Sequence, residues 1–349
     1  MNISRKRDSS FELLRLLSQY MIVLGHLFMV IVIPSTGIPF FKGIMFPLHV
    51  AVPCFVMISG YFGIRASFKG LINLLKFVLV LYVPLITAKY LIIGGGINDI
   101  LSILFPVSRT NTWFVRTYLW LFLLSPLVNK ALEHSSIHNK IYYALALFVI
   151  SNYAGTIGND VSLIGGKNIV TFLFYYLIGH LLSETKEYWH RLKRKKVILY
   201  YLIFNAFVIF FVSIWGNNRI VNGIFEYCFV RYNSPILWIN AIITFVIVCG
   251  IDIRSEKINI LAKSSLSIYL LHCSFVSWML VKPVFAALLD FSNSPLFIFC
   301  STCMLALIIV IVCIIIHFLF TPVWKMFDGI GRKLQEGMTN SCLGKSPFE

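Results

Sequence analysis

Apolar runs long enough to cross a hydrocarbon layer alternate with short polar breaks along the whole chain. A membrane-spanning helix needs about 17 to 25 largely apolar residues, and ten stretches approach or meet that length: 12–33, 44–64, 71–93, 112–129, 141–157, 169–184, 197–215, 235–251, 265–289 and 296–320. Charged residues and Gly, Asn or Pro separate them, as expected where helices end and loops begin. The pattern predicts an all-α, polytopic membrane protein of about ten transmembrane helices. They form a single domain over 1–349, with a core of about 10–325, a short cytoplasmic tail at 326–349 and no appended soluble domain.

Composition excludes the main alternative of one large soluble core. Of 349 residues, 58% are hydrophobic and only 13% charged, and the mean hydropathy is +0.84, outside the range of water-soluble domains. The 31 Phe and 16 Tyr suit lipid-facing surfaces and interfacial belts. No soluble fold is needed to explain them.

Net charge sets the orientation. The formal charge of +16 comes from 30 Lys and Arg in short clusters between apolar runs, so no nucleic-acid partner is expected. Alternate breaks carry the clusters: Arg5, Lys6, Arg7 and Arg15; Arg65, Lys69 and Lys76; Lys130 and Lys140; Lys186 to Lys196; Arg254, Lys257 and Lys263; and Lys325, Arg332, Lys333 and Lys345. Positive charge collects on the cytoplasmic side of membrane proteins, so both termini are expected there. Arg5-Lys6-Arg7 precedes a run too long for a secretory leader and without a small-residue cleavage site, which makes that run the first helix. The eight cysteines lie mostly within apolar stretches and read as small hydrophobes. Cys300 and Cys303 form a C-x-x-C without a second ligand pair, so no metal site is expected.

Ionisable groups inside a bilayer are costly, which makes those within the spans functional candidates. Arg15 and His26 lie eleven residues apart on the first helix. At ~100° per residue they fall on one stripe about 16 Å apart, with Ser18, Gln19 and Ile22 near the same side. Arg15 can reach the cytoplasmic interface, whereas His26 lies about halfway across. A neutral imidazole there has a donor and an acceptor and can take a proton from a hydroxyl. The plain alternative is a histidine bridging two helices, and the arginine on its stripe favours the functional reading.

The sequence Glu12-Leu-Leu-Arg15, ten residues, then His26 resembles the opening helix of the acyltransferase-3 family of integral membrane enzymes. Three further segments follow in the family's order: Ser59-Gly60-Tyr61 with the basic residues Arg65, Lys69 and Lys76; Trp113 through Arg116 and Tyr118 to Ser125-Pro126-Leu127; and Tyr269-Leu-Leu-His272. Glu12 stands where the family usually has Asp, and Lys69 and Lys76 stand where an Arg-rich stretch is common. Lysine can meet a phosphate as a point charge but gives up the bidentate fork.

The resemblance implies transfer of an acyl group, usually acetyl, from acyl-CoA to a saccharide hydroxyl of a capsular, exported or lipid-linked envelope glycan. It places the protein in a bacterial inner membrane. It also implies His26 as base, assisted by Arg15 and Glu12, with Arg15, Arg65 and Lys69 on the acyl-CoA phosphates. Acyl-CoA is then a substrate, and no permanently bound cofactor is expected. His49, Trp113, Arg116, Tyr118 and His272 are candidates for the acceptor site, each with a structural alternative as an interfacial or helix-bridging residue. Direct transfer and an acyl-histidine both remain open. A transporter or flippase for a lipid-linked sugar is the rival class, although no paired, broken helices in two matching halves are visible. Lipids are expected partners, and the sequence leaves the oligomeric state open.

Overall fold

A computed structural model describes residues 8–109, 112–158 and 160–329. Arg5, Lys6, Arg7, Asn111, Arg332, Lys333, Cys342 and Lys345 lie outside them, as does the expected tail beyond residue 329. The described residues are predominantly helical, without strands.

Eleven helices cover the ten apolar stretches, the ninth stretch being divided between two. They are α1 (Ser9–Thr36), α2 (Pro39–Phe62) and α3 (Phe68–Ile93); α4 (Trp113–Glu133), α5 (Ile137–Asn152), α6 (Ile169–Glu184), α7 (Arg194–Trp215) and α8 (Pro235–Cys249); then α9 (Ser265–His272), α10 (Phe275–Phe291) and α11 (Pro295–Leu319). Among the described residues, α1, α2, α3, α7 and α11 are each long and apolar enough to cross a membrane. Two bent pairs raise that number to seven if each is a single span: Arg219–Val230 with α8, and Glu256–His272 with Val276–Phe291. Large apolar side chains of α7, among them Leu199, Ile203, Phe207, Phe210 and Ile214, face outward. A surface of that kind fits lipid.

Local chemistry explains the helix ends. Asp8 caps α1 by accepting from Ser10 N at 3.2 Å, and Glu12 places negative charge in the first turn, where it meets the positive end of the helix dipole. Wide π-turns interrupt α1 at Phe28–Val32 and α3 at Val78–Tyr82. Each lies immediately before a proline-bearing turn, with Pro34 and Pro84 respectively. A proline ring clashes with the carbonyl four residues earlier and removes one hydrogen bond, and a widened turn relieves both.

The stretch expected to be one helix over 265–289 is broken. α9 stops after His272, and the chain bends by 79° before the following helix. Ser274 causes the break: its extended backbone caps α10 while its hydroxyl accepts from Ser277 N at 3.2 Å. The Ser277 hydroxyl in turn donates to the Leu271 carbonyl at 2.6 Å, satisfying an acceptor left over at the end of α9.

α1 packs against α2, α8, α9 and α11, while α2 packs on α6 and α7. Glycine permits the α2–α6 approach: a Cβ on Gly60 would overlap the Tyr176 carbonyl, and one on Gly179 would overlap the Met57 carbonyl. Such backbone contact needs small residues. Polar ties join the ends of the bundle in two sets. Ser9 with Ser255, Lys76 with Asp328, Asn129 with the Ile64 carbonyl and Lys140 with Glu184 gather at the Arg15 end. Lys42 with the Gly216 carbonyl, Lys89 with Asp99 and Arg116 with the Ser108 carbonyl gather at the other. Two apolar cores result, and α9 lies between them, giving Tyr269 and Leu270 to one and Ile268 and Leu271 to the other.

Candidate active site

The seam between the two cores holds the polar cluster. His272 is buried at the end of α9, where its Nδ1 lies 2.7 Å from the Ile268 carbonyl. Its Nε2 lies 2.9 Å from His26 Nδ1. A carbonyl only accepts, so Nδ1 of His272 carries the hydrogen and, with both rings neutral, its Nε2 accepts from His26 Nδ1–H. This chain of bonds leaves the lone pair of His26 on Nε2. An imidazole fixed in that tautomer is set up as a proton acceptor.

His26 lines a small cavity of about 60 Å³ together with Met21, Ile22, His49, Trp113, Lys167, Tyr232 and Tyr269. His49 Nδ1 donates to the Met45 carbonyl at 2.7 Å, which leaves its Nε2 as acceptor as well. The Lys167 ammonium lies 5.5 Å from the Trp113 ring centroid, a cation–π arrangement. Partial burial of Lys167, in the loop before α6, lowers its pKa below the usual lysine range. Aromatic faces and two kinds of nitrogen base line this wall without a carboxylate.

A second cavity of about 330 Å³ reaches the opposite side of the cluster, lined by Tyr82, Lys89, Asp99, Ser102, Arg109, Cys273, Ser274 and Trp278. Lys89 pairs with Asp99 at 2.9 Å. Cys273 Sγ lies 3.4 Å from His272 Nε2 and 3.8 Å from His26 Nδ1. His26 Nδ1, His272 Nε2 and Cys273 Sγ thus lie within 4.8 Å of one another.

Toward the other end of α1, Arg15 Nη1 donates to Glu12 Oε1 at 2.7 Å. Ser18 and Gln19, between Arg15 and the cavity floor at Ile22, are buried, and Ser18 Oγ and Gln19 Oε1 have no hydrogen-bond partner. Unsatisfied buried polar atoms are uncommon and mark places where water or a ligand group can bind. Arg65 is exposed and Lys69 half-buried near the same end.

Four sequence candidates therefore meet at one place: His26, His49, Trp113 and His272. Arg116 and Tyr118 face elsewhere. Arg116 donates to the Ser108 carbonyl at 3.2 Å and stacks over Trp120, with 6.0 Å to the ring centroid. The Tyr118 hydroxyl lies 3.0 Å from Ser59 Oγ.

Residues 8–317 match the family model of the acyltransferase domain of acyltransferase 3. The chain belongs to that family. No curated protein and no solved structure matches it. In this membrane acyltransferase, Arg15 and His26 lie on one helix, α1, which packs against α9, the helix that ends at His272. Sequence reasoning missed Lys167, Tyr232 and Cys273. Lys167 is a single cation in a loop, and Trp113, whose ring it faces, is 54 positions away in the chain. Cys273 looked like one more small apolar residue until the bend turned it toward two imidazoles.

Proposed function

We propose that this acyltransferase moves an acetyl group from acetyl-CoA to a hydroxyl of an envelope or exported polysaccharide, or of its lipid-linked precursor, in a bacterial inner membrane. The observation that carries the reading is the bond chain from the Ile268 carbonyl through His272 to His26, which leaves Nε2 of His26 as a lone-pair base in a cavity. In this reading ten spans place both termini in the cytoplasm. The donor enters at the end of the bundle where Arg15, Arg65 and Lys69 can meet its phosphates.

The pantetheine arm extends along α1, where its amides satisfy Ser18 Oγ and Gln19 Oε1. The spacing from Arg15 to His26, about 16 Å, suits an extended arm with the thioester near the imidazole. Glu12 positions Arg15. His26 Nε2 takes the proton as an acceptor hydroxyl becomes the nucleophile, a role worth about 10²- to 10⁴-fold in rate. Trp113 and Tyr232 give the acceptor ring apolar faces to stack on, and Lys167 and His49 supply polar contacts beside it.

The test uses purified protein in lipid, radiolabelled acetyl-CoA and envelope glycan. Label is expected to reach the glycan, His26→Ala is expected to slow this about 10²-fold or more, and Arg65→Ala is expected to raise the KM for acetyl-CoA. Unchanged transfer by the His26→Ala protein would remove the assignment.

A further inference from the structure

Among the described residues, Cys273 is the nucleophilic side chain in contact with both imidazoles, and the reaction outlined above does not use it. It stands at the bend between α9 and α10. The larger cavity lies on one side of it, while His26, which lines the smaller cavity, lies on the other. His272 Nε2, 3.4 Å from Sγ, is already fixed as an acceptor because its Nδ1 donates to Ile268. The lone pair that receives His26 Nδ1–H can receive the thiol hydrogen in its place. A thiolate is a far better nucleophile than a hydroxyl toward a thioester, and exchange of one thioester for another is close to balanced in free energy.

We propose that Cys273 accepts the acyl group as a thioester before the acceptor hydroxyl receives it. The proposal rests on the acyl-CoA-dependent reading above. In the first half-reaction the Cys273 thiol gives its proton to His272 Nε2. Sγ then bonds to the acyl carbon, the bond from that carbon to the CoA sulfur breaks, and the leaving CoA thiolate takes the proton from His272. In the second, the acceptor hydroxyl loses its proton to His26 Nε2 as its oxygen bonds to the acyl carbon. The Cys273 thiolate departs and is protonated by His26 Nδ1–H, 3.8 Å away. Exchange with water resets the His26 tautomer. The sum is one thioester and one alcohol consumed, one thiol and one ester formed.

Two bases serve two steps: His272 faces the thiol, and His26 faces the hydroxyl. This division separates the relay from direct attack and from an acyl-histidine. It also gives a role to a cysteine that touches both rings and the larger cavity.

The experiment incubates the full chain in lipid nanodiscs with [1-¹⁴C]acetyl-CoA and no acceptor, then denatures it and measures bound label. Wild-type protein is expected to hold close to one label per chain on the peptide containing Cys273, released by neutral hydroxylamine. His26→Ala is expected to label as wild type does but to discharge to glycan about 10²-fold more slowly. Cys273→Ala is expected to take no label. Cys273→Ser, nearly the same size, is expected to take label as an oxygen ester that resists neutral hydroxylamine, which guards against loss of label through misfolding. Label on His26 would overturn the relay in favour of an acyl-histidine, and glycan transfer by Cys273→Ala at the wild-type rate would overturn it while leaving His26 as base. Failure of the wild-type protein to bind acetyl-CoA at all would instead remove the underlying reading.

Discussion

His272 Nε2 lies 2.9 Å from His26 Nδ1, and the Ile268 carbonyl on the far side of His272 decides which ring donates. Two imidazoles from helices 246 residues apart in sequence thus act as one oriented unit. The bend after His272 sets Cys273 beside both rings.

Removing the acceptor from that unit frees His26 to adopt the other tautomer. His272→Ala is therefore expected to lower kcat for glycan acetylation by about 10²-fold or more, with little change in the KM for acetyl-CoA. Steady-state kinetics with each substrate varied checks this. A change confined to KM would assign His272 to binding instead.

Gln19 gives a test of the donor path. A buried carbonyl oxygen without a partner costs stability, and replacing it with an apolar group of similar shape is close to neutral. Gln19→Leu is accordingly expected to keep the wild-type unfolding temperature while the KM for acetyl-CoA rises about tenfold, the loss of about one hydrogen bond. Thermal unfolding by intrinsic fluorescence and donor titration measure the two effects separately.

In the lining of the small cavity, Lys167 is expected to act on the acceptor alone. Lys167→Ala should raise the acceptor KM about tenfold, and Lys167→Arg should restore much of it, since a guanidinium also stacks on Trp113. The KM for acetyl-CoA is the control and is expected to stay unchanged.

The tightest helix contact gives a stability test independent of chemistry. Gly60→Ala places a methyl group against the Tyr176 carbonyl with no room to accommodate it, and overpacking of this kind costs about 1 to 3 kcal/mol or more. Gly223→Ala, in the helix Arg219–Phe225, meets nothing within 4 Å and is expected to be neutral or slightly stabilising. Unfolding temperatures of the two variants in one detergent should differ clearly, with Gly60→Ala the lower.

Much of the fold was legible because the bilayer imposes length. A run such as 296–320 has no fate other than an apolar helix, and α11 occupies nearly the same residues. His26 stood out for the same reason, as an ionisable group where lipid tolerates few. The break after His272 was not legible: neither Gly nor Pro marks it, and serine caps are common wherever helices start. Tyr118 could have been placed better, since five residues at ~100° turn it about 140° from Trp113 on the same helix. Lys167 and Cys273 depend on pairings between distant segments, and local pattern carries no information about those.

The most direct measurement is acetyl transfer from labelled acetyl-CoA to envelope glycan by the His26→Ala protein, compared with wild type at equal amounts of folded protein in lipid. Loss of about 10²-fold or more, with acetyl-CoA binding retained, is the predicted result. Transfer at the wild-type rate would contradict the account.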